Sequence, residues 1–185
     1  MSSMYFIAIV APAHVNDVVL KWKFLMKERF SCVVALRSPA HITLVPPFWM
    51  DNIKEDKLKQ ALDAFSQSQA SFEIEAKDFG AFKPRVIYVN VQESSSLESL
   101  RIQLEEFLLK QEEFPLKKED RPFHPHISIA TRDLHKKAFR EAWEIFEQKK
   151  CEATWIATGV SLLRHDQKNW DVIYTSQFEN KFEAG

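Results

Sequence analysis

The sequence predicts a fold of mixed strands and helices arranged as two similar halves, and three observations carry that prediction. Strand-like and helix-like apolar spacings alternate along the 185 residues. Their order then repeats at a near-constant offset, with His41 to His126 separated by 85 positions, Leu62 to Ala142 by 80 and Phe72 to Ala153 by 81. Finally, each half carries His-x-(Thr/Ser) on an otherwise apolar strand, as His41-Ile42-Thr43-Leu44 and His126-Ile127-Ser128-Ile129. Alternation alone is common to any chain that mixes strands and helices. The matched polar signature is what relates the halves.

Each element follows from its local pattern. Residues 4–10 form an unbroken apolar run that reads as a buried strand. From Val15 the spacing changes to Val15, Val18, Val19, Trp22, Leu25 and Met26, the stripe of a helix. The break Arg37-Ser38-Pro39 precedes an alternating strand at His41–Val45, which Pro46-Pro47 is expected to stop. A helix with Leu58, Ala61, Leu62 and Phe65 on one face and a strand at Phe72–Ala76 complete the first half, about residues 4–79.

The second half, about 85–163, begins with a strand at Arg85–Val91 and a helix carrying Leu97, Leu100, Leu104, Phe107 and Leu108. A strand at His126–Ala130, a helix with Ala138, Phe139, Ala142, Ile145 and Phe146, and one long strand near Thr154–Leu163 follow. An extra strand is expected at Trp170–Thr175.

Composition narrows the function. With 25 Lys+Arg against 26 Asp+Glu and a net charge of −1, the chain lacks the basic coat that a long nucleic-acid footprint needs, so any such contact is local. Its three glycines, Gly80, Gly159 and Gly185, cannot form a Gly-rich phosphate loop. Cys32 and Cys151 have no second cysteine nearby, which excludes a zinc ribbon or a paired redox motif. The apolar start Tyr5–Val10 lacks a positive leader and has Pro12 within any cleavage site, so a first strand and a reducing, cytoplasmic location are expected. No apolar run approaches the ~20 residues of a membrane helix.

On a strand, residues i and i+2 share a face, so His41 projects with Thr43 and His126 with Ser128. If the halves pack about a pseudo-two-fold axis, two imidazoles and two hydroxyls surround one small anion. A neutral histidine can take a proton from an attacking oxygen while a protonated one donates to the leaving oxygen. The hydroxyls can hold non-bridging phosphoryl oxygens. This pattern points to metal-free transesterification or hydrolysis of a phosphodiester.

Several segments together resemble the two-histidine phosphoesterases, and among them the 2′,5′ RNA ligase-like, RNA 2′,3′-cyclic phosphodiesterase group. They are Tyr5–Ile9, Ala40-His41-Ile42-Thr43-Leu44, Gly80–Val89 and Arg121-Pro122-Phe123-His124-Pro125-His126-Ile127-Ser128-Ile129-Ala130. The resemblance implies a single bilobal α+β domain with an antiparallel sheet flanked by helices in each lobe and a cleft between them. It also implies His41 and His126 as the acid and base, Thr43 and Ser128 as phosphate ligands, and opening of 2′,3′-cyclic phosphates or action on 2′,5′ linkages without metal or cofactor. Which histidine is the base stays open. The continuation Val45-Pro46-Pro47-Phe48 and the serine at 128 mark a divergent branch.

Other residues are weaker candidates. His124 shares a face with His126 and is assigned to the rim, although His41, His124 and His126 could in principle make a three-histidine metal site. Arg132, with Arg121, Lys83 and Arg85 behind it, is a candidate phosphate-attracting cation. Phe48, Phe123 and Trp49 are candidates for stacking a base. His14, His135 and His165 are expected at the surface. The expected partner is a small nucleotide or RNA terminus bound by a monomer. The competing reading is a module that holds such a ligand without turnover.

Overall fold

A computed structural model describes residues 1–179. In chain order the elements are β1 (Ser2–Val10), α1 (Ala13–Phe30), β2 (His41–Asp51), α2 (Glu55–Ser66), β3 (Phe72–Phe82), β4 (Val86–Val91), α3 (Ser95–Leu109), β5 (His126–Ala130), α4 (Lys136–Phe146), β6 (Glu152–Ala157), β7 (Gly159–His165) and β8 (Trp170–Gln177). They build the expected α+β architecture of two four-stranded antiparallel sheets, ordered β2-β1-β7-β8 and β5-β4-β3-β6. No helix among the described residues is long and apolar enough to cross a membrane.

β1 reads as a continuous apolar run because it is a central strand covered on both faces. Tyr5, Ile7 and Ile9 enter the main core, while Phe6 and Ala8 pack with Leu163 in a separate small cluster on the opposite face. Helix α2 covers β7 and β8 of the first sheet, and α3 reaches across to contact β2. In the second lobe α1 reciprocates, packing on β5, β6 and α4. The helix that follows the first strand of each half therefore lies against the other half's sheet, so the lobes are interlocked.

Three features depart from the expectation. Pro46 and Pro47 do not stop β2, which continues to Asp51. β2 is an edge strand, where a proline's missing N–H leaves no ladder bond unmade, and the register slips between the Tyr5–Phe48 and Ile7–Val45 pairs. The single strand expected at Thr154–Leu163 is two strands in different sheets. The switch falls at Gly159, where an added Cβ would lie 2.2 Å from the Ser176 carbonyl oxygen, so only glycine permits this approach of β7 to β8. Consequently the sheets do not coincide with the sequence halves. β3 pairs with β4 and β6, whereas β7 and β8 return to the first sheet.

The segment between α1 and β2 is held by side chains from both lobes. Asn16 Oδ1 accepts from Ala40 N at 2.8 Å, and Lys23 Nζ donates to the Ser38 carbonyl at 2.9 Å. From beyond β5, one oxygen of Asp133 accepts from Val33 N and Val34 N at 2.6 and 2.9 Å, capping the short 3-10 turn Val34–Arg37. Removing this clamp in Asp133→Ala should lower unfolding free energy by about 1–2 kcal/mol, read as a reduced urea midpoint with unchanged slope.

Candidate active site

Strand register places the paired motifs. His41 lies opposite Val10 and Thr43 opposite Ala8, while His126 lies opposite Asn90 and Ser128 opposite Tyr88. Between them Ile42, Leu44, Ile127 and Ile129 point into the core and are almost fully buried. A one-residue slip in either strand would exchange the polar and apolar faces, so core burial fixes where the polar side chains project. Edge strands β2 and β5 contact each other across the lobes. Thr43 from one and His126 from the other line a single cavity of about 440 Å³, together with His124 from just before β5.

Both histidines are oriented in the same way. The Nδ1 of His41 lies 2.8 Å from the Pro39 carbonyl, and that of His126 lies 2.7 Å from the His124 carbonyl. A carbonyl only accepts, so Nδ1 carries the proton in each ring and Nε2 is the nitrogen left for chemistry.

Burial pushes both imidazoles toward the neutral form. His41 is held down to about 4, chiefly by desolvation, opposed by the Pro39 hydrogen bond and reinforced by the charges of Lys23 and His126. His126 is lowered by desolvation and by His124, against the support of the His124 carbonyl. The Lys23 side chain is 1% exposed and has no carboxylate partner among the described residues, and burial lowers its ammonium to about 8.

Aromatic packing holds the site on both sides. Phe6 lies 4.9 Å from His41, ring centre to ring centre. Phe82 and Tyr88 each lie 5.0 Å from His126, and the Tyr88 hydroxyl shares a 3.0 Å hydrogen bond with His124 Nε2. Gly80 makes room for Tyr88, since a Cβ there would meet the tyrosine ring at 2.4 Å. On the outer wall Arg121 forms a two-bond ion pair with Glu119, Arg101 pairs with Glu105, and Phe123 lies over the Arg101 guanidinium at 5.8 Å. Each cation of that wall is thus matched by a carboxylate.

The other sequence candidates separate. Phe123 and His124 line the cavity, as does Arg121. His41 and Ser128 are half-buried and, like Arg132, which is exposed in the turn after β5, are not among the residues lining it. Phe48 does not reach the cleft, because the slip at the prolines turns it inward, where it is 9% exposed and stacks on Tyr5 at 6.2 Å. Trp49 is 62% exposed. His14 and His135 are exposed, whereas His165 is half-buried against Trp170. Cys32 and Cys151 are buried free thiols. Among the described residues no three His, Cys, Asp or Glu side chains converge as a metal-binding group, so His41, His124 and His126 do not form one.

Phe6, Lys23, Phe82 and Tyr88 were not singled out as site residues by sequence. The one available signal was the glycine opposite Tyr88 on the neighbouring strand.

Comparison with known proteins places the chain among relatives. The family model described as the 2′-5′ RNA ligase superfamily matches residues 12–169. E. coli LigT, solved with 3′-AMP, superposes with a TM-score of 0.70 at 19% identity, covering 97% of this chain and 100% of that one. TT0787 of Thermus thermophilus gives 0.67 at 17% identity, with 96% and 98% covered. A structure described only as a phosphoesterase gives 0.63 at 19%, with 96% and 99% covered. No curated protein sequence matches.

The depressed histidines also set a stability prediction. A histidine whose pKa is lowered by folding binds its proton more tightly when unfolded, so its contribution is full above pH 6.5 and is lost as pH falls toward 4. Wild-type unfolding free energy should decline by on the order of 3 kcal/mol across that window from His41 alone. The slope should flatten in His41→Gln, measured by urea unfolding at fixed ionic strength.

Proposed function

Because the chain belongs to the 2′-5′ RNA ligase superfamily, we propose that its cleft carries out phosphodiester chemistry on a 2′,3′-cyclic phosphate or 2′,5′-linked nucleotide or RNA end, with His41 and His126 as the general acid and base. The observation that carries this reading is the matched contact of each Nδ1 with the carbonyl two residues earlier. It leaves both catalytic nitrogens in the tautomer the chemistry needs.

In hydrolysis of a cyclic phosphate, water attacks phosphorus as one neutral Nε2 removes its proton. The bond from phosphorus to one ribose oxygen breaks, and the protonated Nε2 of the other ring supplies that oxygen's proton. The two rings exchange protonation states, and solvent resets them. Thr43 and Ser128 donate hydrogen bonds to the non-bridging oxygens, stabilising the charge that builds on them. E. coli LigT has been solved with 3′-AMP, ATP and NADP+, ligands that share a nucleotide phosphate with the substrate class proposed for this chain.

The chemistry needs one histidine charged and one neutral, and burial lowers both. The free protein should therefore show a bell-shaped kcat/KM profile whose maximum lies below pH 6.5, its limbs belonging to the pair. With nucleoside 2′,3′-cyclic phosphates in EDTA, His41→Ala and His126→Ala should each lose about 10²–10⁴-fold in kcat. Turnover that survives both substitutions, or that requires added metal, would contradict the mechanism. Tight binding of a cyclic phosphate recovered unchanged would mark a binding module.

A further inference from the structure

Each motif histidine is oriented by the carbonyl two residues earlier, but the two carbonyls belong to different amides. That of His124 belongs to the His124–Pro125 bond, which has no N–H to offer a further group. That of Pro39 belongs to the trans Pro39–Ala40 peptide, whose N–H donates to Asn16 Oδ1 at 2.8 Å. A trans peptide turns its C=O and N–H in opposite directions, so one rigid plane joins the His41 ring to the Asn16 side chain.

The surroundings leave that plane little else to bond. Asn16 stands half-buried in the first turn of α1, and Ala40 is fully buried. The carbonyls on either side are taken, that of Ser38 by Lys23 Nζ and that of Ala40 by Ala11 N, each at 2.9 Å. Without the Asn16 oxygen the Ala40 N–H would be a buried donor with no acceptor, and turning the peptide to regain one would carry the Pro39 carbonyl off the ring. By accepting from Ala40 N, Asn16 also polarises the amide and makes the Pro39 carbonyl a stronger acceptor for Nδ1–H. The titratable groups that bear on His41 are Lys23 of α1 and His126 of β5, and β1 presents Val10 and Phe6 to it; no carboxylate is among them.

We propose that Asn16 is a positioning residue for His41: acting through the Pro39–Ala40 peptide, it keeps the ring proton on Nδ1 and leaves Nε2 free to react. Its part, one peptide removed, is that of the carboxylate that holds an imidazole tautomer by direct contact in a catalytic triad. A carboxylate on Nδ1 would also favour the charged ring, whereas a neutral amide fixes the tautomer and lets burial keep the imidazole neutral. His126 has no counterpart of Asn16, since Pro125 removes the donor; its neighbour His124 is anchored instead through Nε2 to the Tyr88 hydroxyl at 3.0 Å. The device therefore separates two histidines that the repeat makes alike. The inference rests on the proposed function for what Nε2 does, while the tautomer is a property of the free protein.

The test is long-range proton–nitrogen NMR of the histidine rings in wild type, Asn16→Leu and Asn16→Asp, with kcat and KM measured on a nucleoside 2′,3′-cyclic phosphate. In Asn16→Leu, His41 should populate the Nε2–H tautomer while His126, the internal reference, keeps Nδ1–H, and kcat should fall about 10²-fold with KM changed by about twofold or less. Asn16→Asp keeps the accepting oxygen and adds a charge, so it should retain the Nδ1–H tautomer, recover most of the lost kcat and raise the His41 titration midpoint by about half a pH unit. An Nδ1–H tautomer undisturbed in Asn16→Leu, or a His41 midpoint unmoved in Asn16→Asp, would overturn the proposal, and the aspartate variant decides alone if the leucine variant does not fold. A tautomer shift in Asn16→Leu with no turnover by wild type would overturn the catalytic reading and leave the positioning role standing.

Discussion

Two edge strands meet across the lobes. A sheet edge ordinarily exposes unpaired backbone groups and is guarded against association with other chains. In this protein the edges of the two sheets, β2 and β5, lie against each other. The crossed helices hold them there, because α1 leaves the first sheet to support β5 while α3 leaves the second to support β2. Movement of one lobe must then move a helix packed on the other, and the relative placement of the histidines is tied to both cores. The Asp133 clamp adds a polar link at the same junction, from just beyond one motif to the segment that leads into the other.

The electrostatics of the cleft follow from what is buried there. Neutral imidazoles and arginines already matched by carboxylates leave little net field on the outer wall, and Lys23, still an ammonium at neutral pH, is buried and donates to a carbonyl. A polyanion gains most from unmatched cations, and this surface offers few. Under the proposed function a single phosphodiester gains instead from directed donors, the Thr43 and Ser128 hydroxyls and the Nε2 of whichever imidazole is protonated. The lobes also differ in character. Opposite His41 and Thr43 stand Val10 and Ala8, whereas opposite His126 and Ser128 stand Asn90 and Tyr88.

The two-lobed α+β fold and the positions of the four motif side chains were legible because strand alternation reports faces directly, and the repeat placed the same face in both halves. Which sheet each strand joins was not legible. Alternation at Phe72–Ala76 says that one side is buried but not that its partners are β4 and β6. The length of β2 was hidden by Pro46-Pro47, since local chemistry cannot tell an edge strand from a strand end. The same slip concealed that Phe48 belongs to the core. The roles of Tyr88, Phe82 and Lys23 were not legible, because they depend on contacts with residues distant in sequence. Arg132 lies near His126 along the chain, but the turn after β5 carries it away from the cavity.

In the proposed mechanism the two imidazoles bind one phosphoryl group through Nε2 while Nδ1 stays on the backbone. Long-range proton–nitrogen NMR of the histidine rings tests it directly, recorded across pH in the free protein and with inorganic phosphate added. That arrangement predicts the Nδ1–H tautomer for both His41 and His126, pKa values below 6.5 in the free protein, and an upward shift of both when phosphate binds. Rings in the opposite tautomer, or a phosphate response confined to one histidine or absent from both, would contradict it.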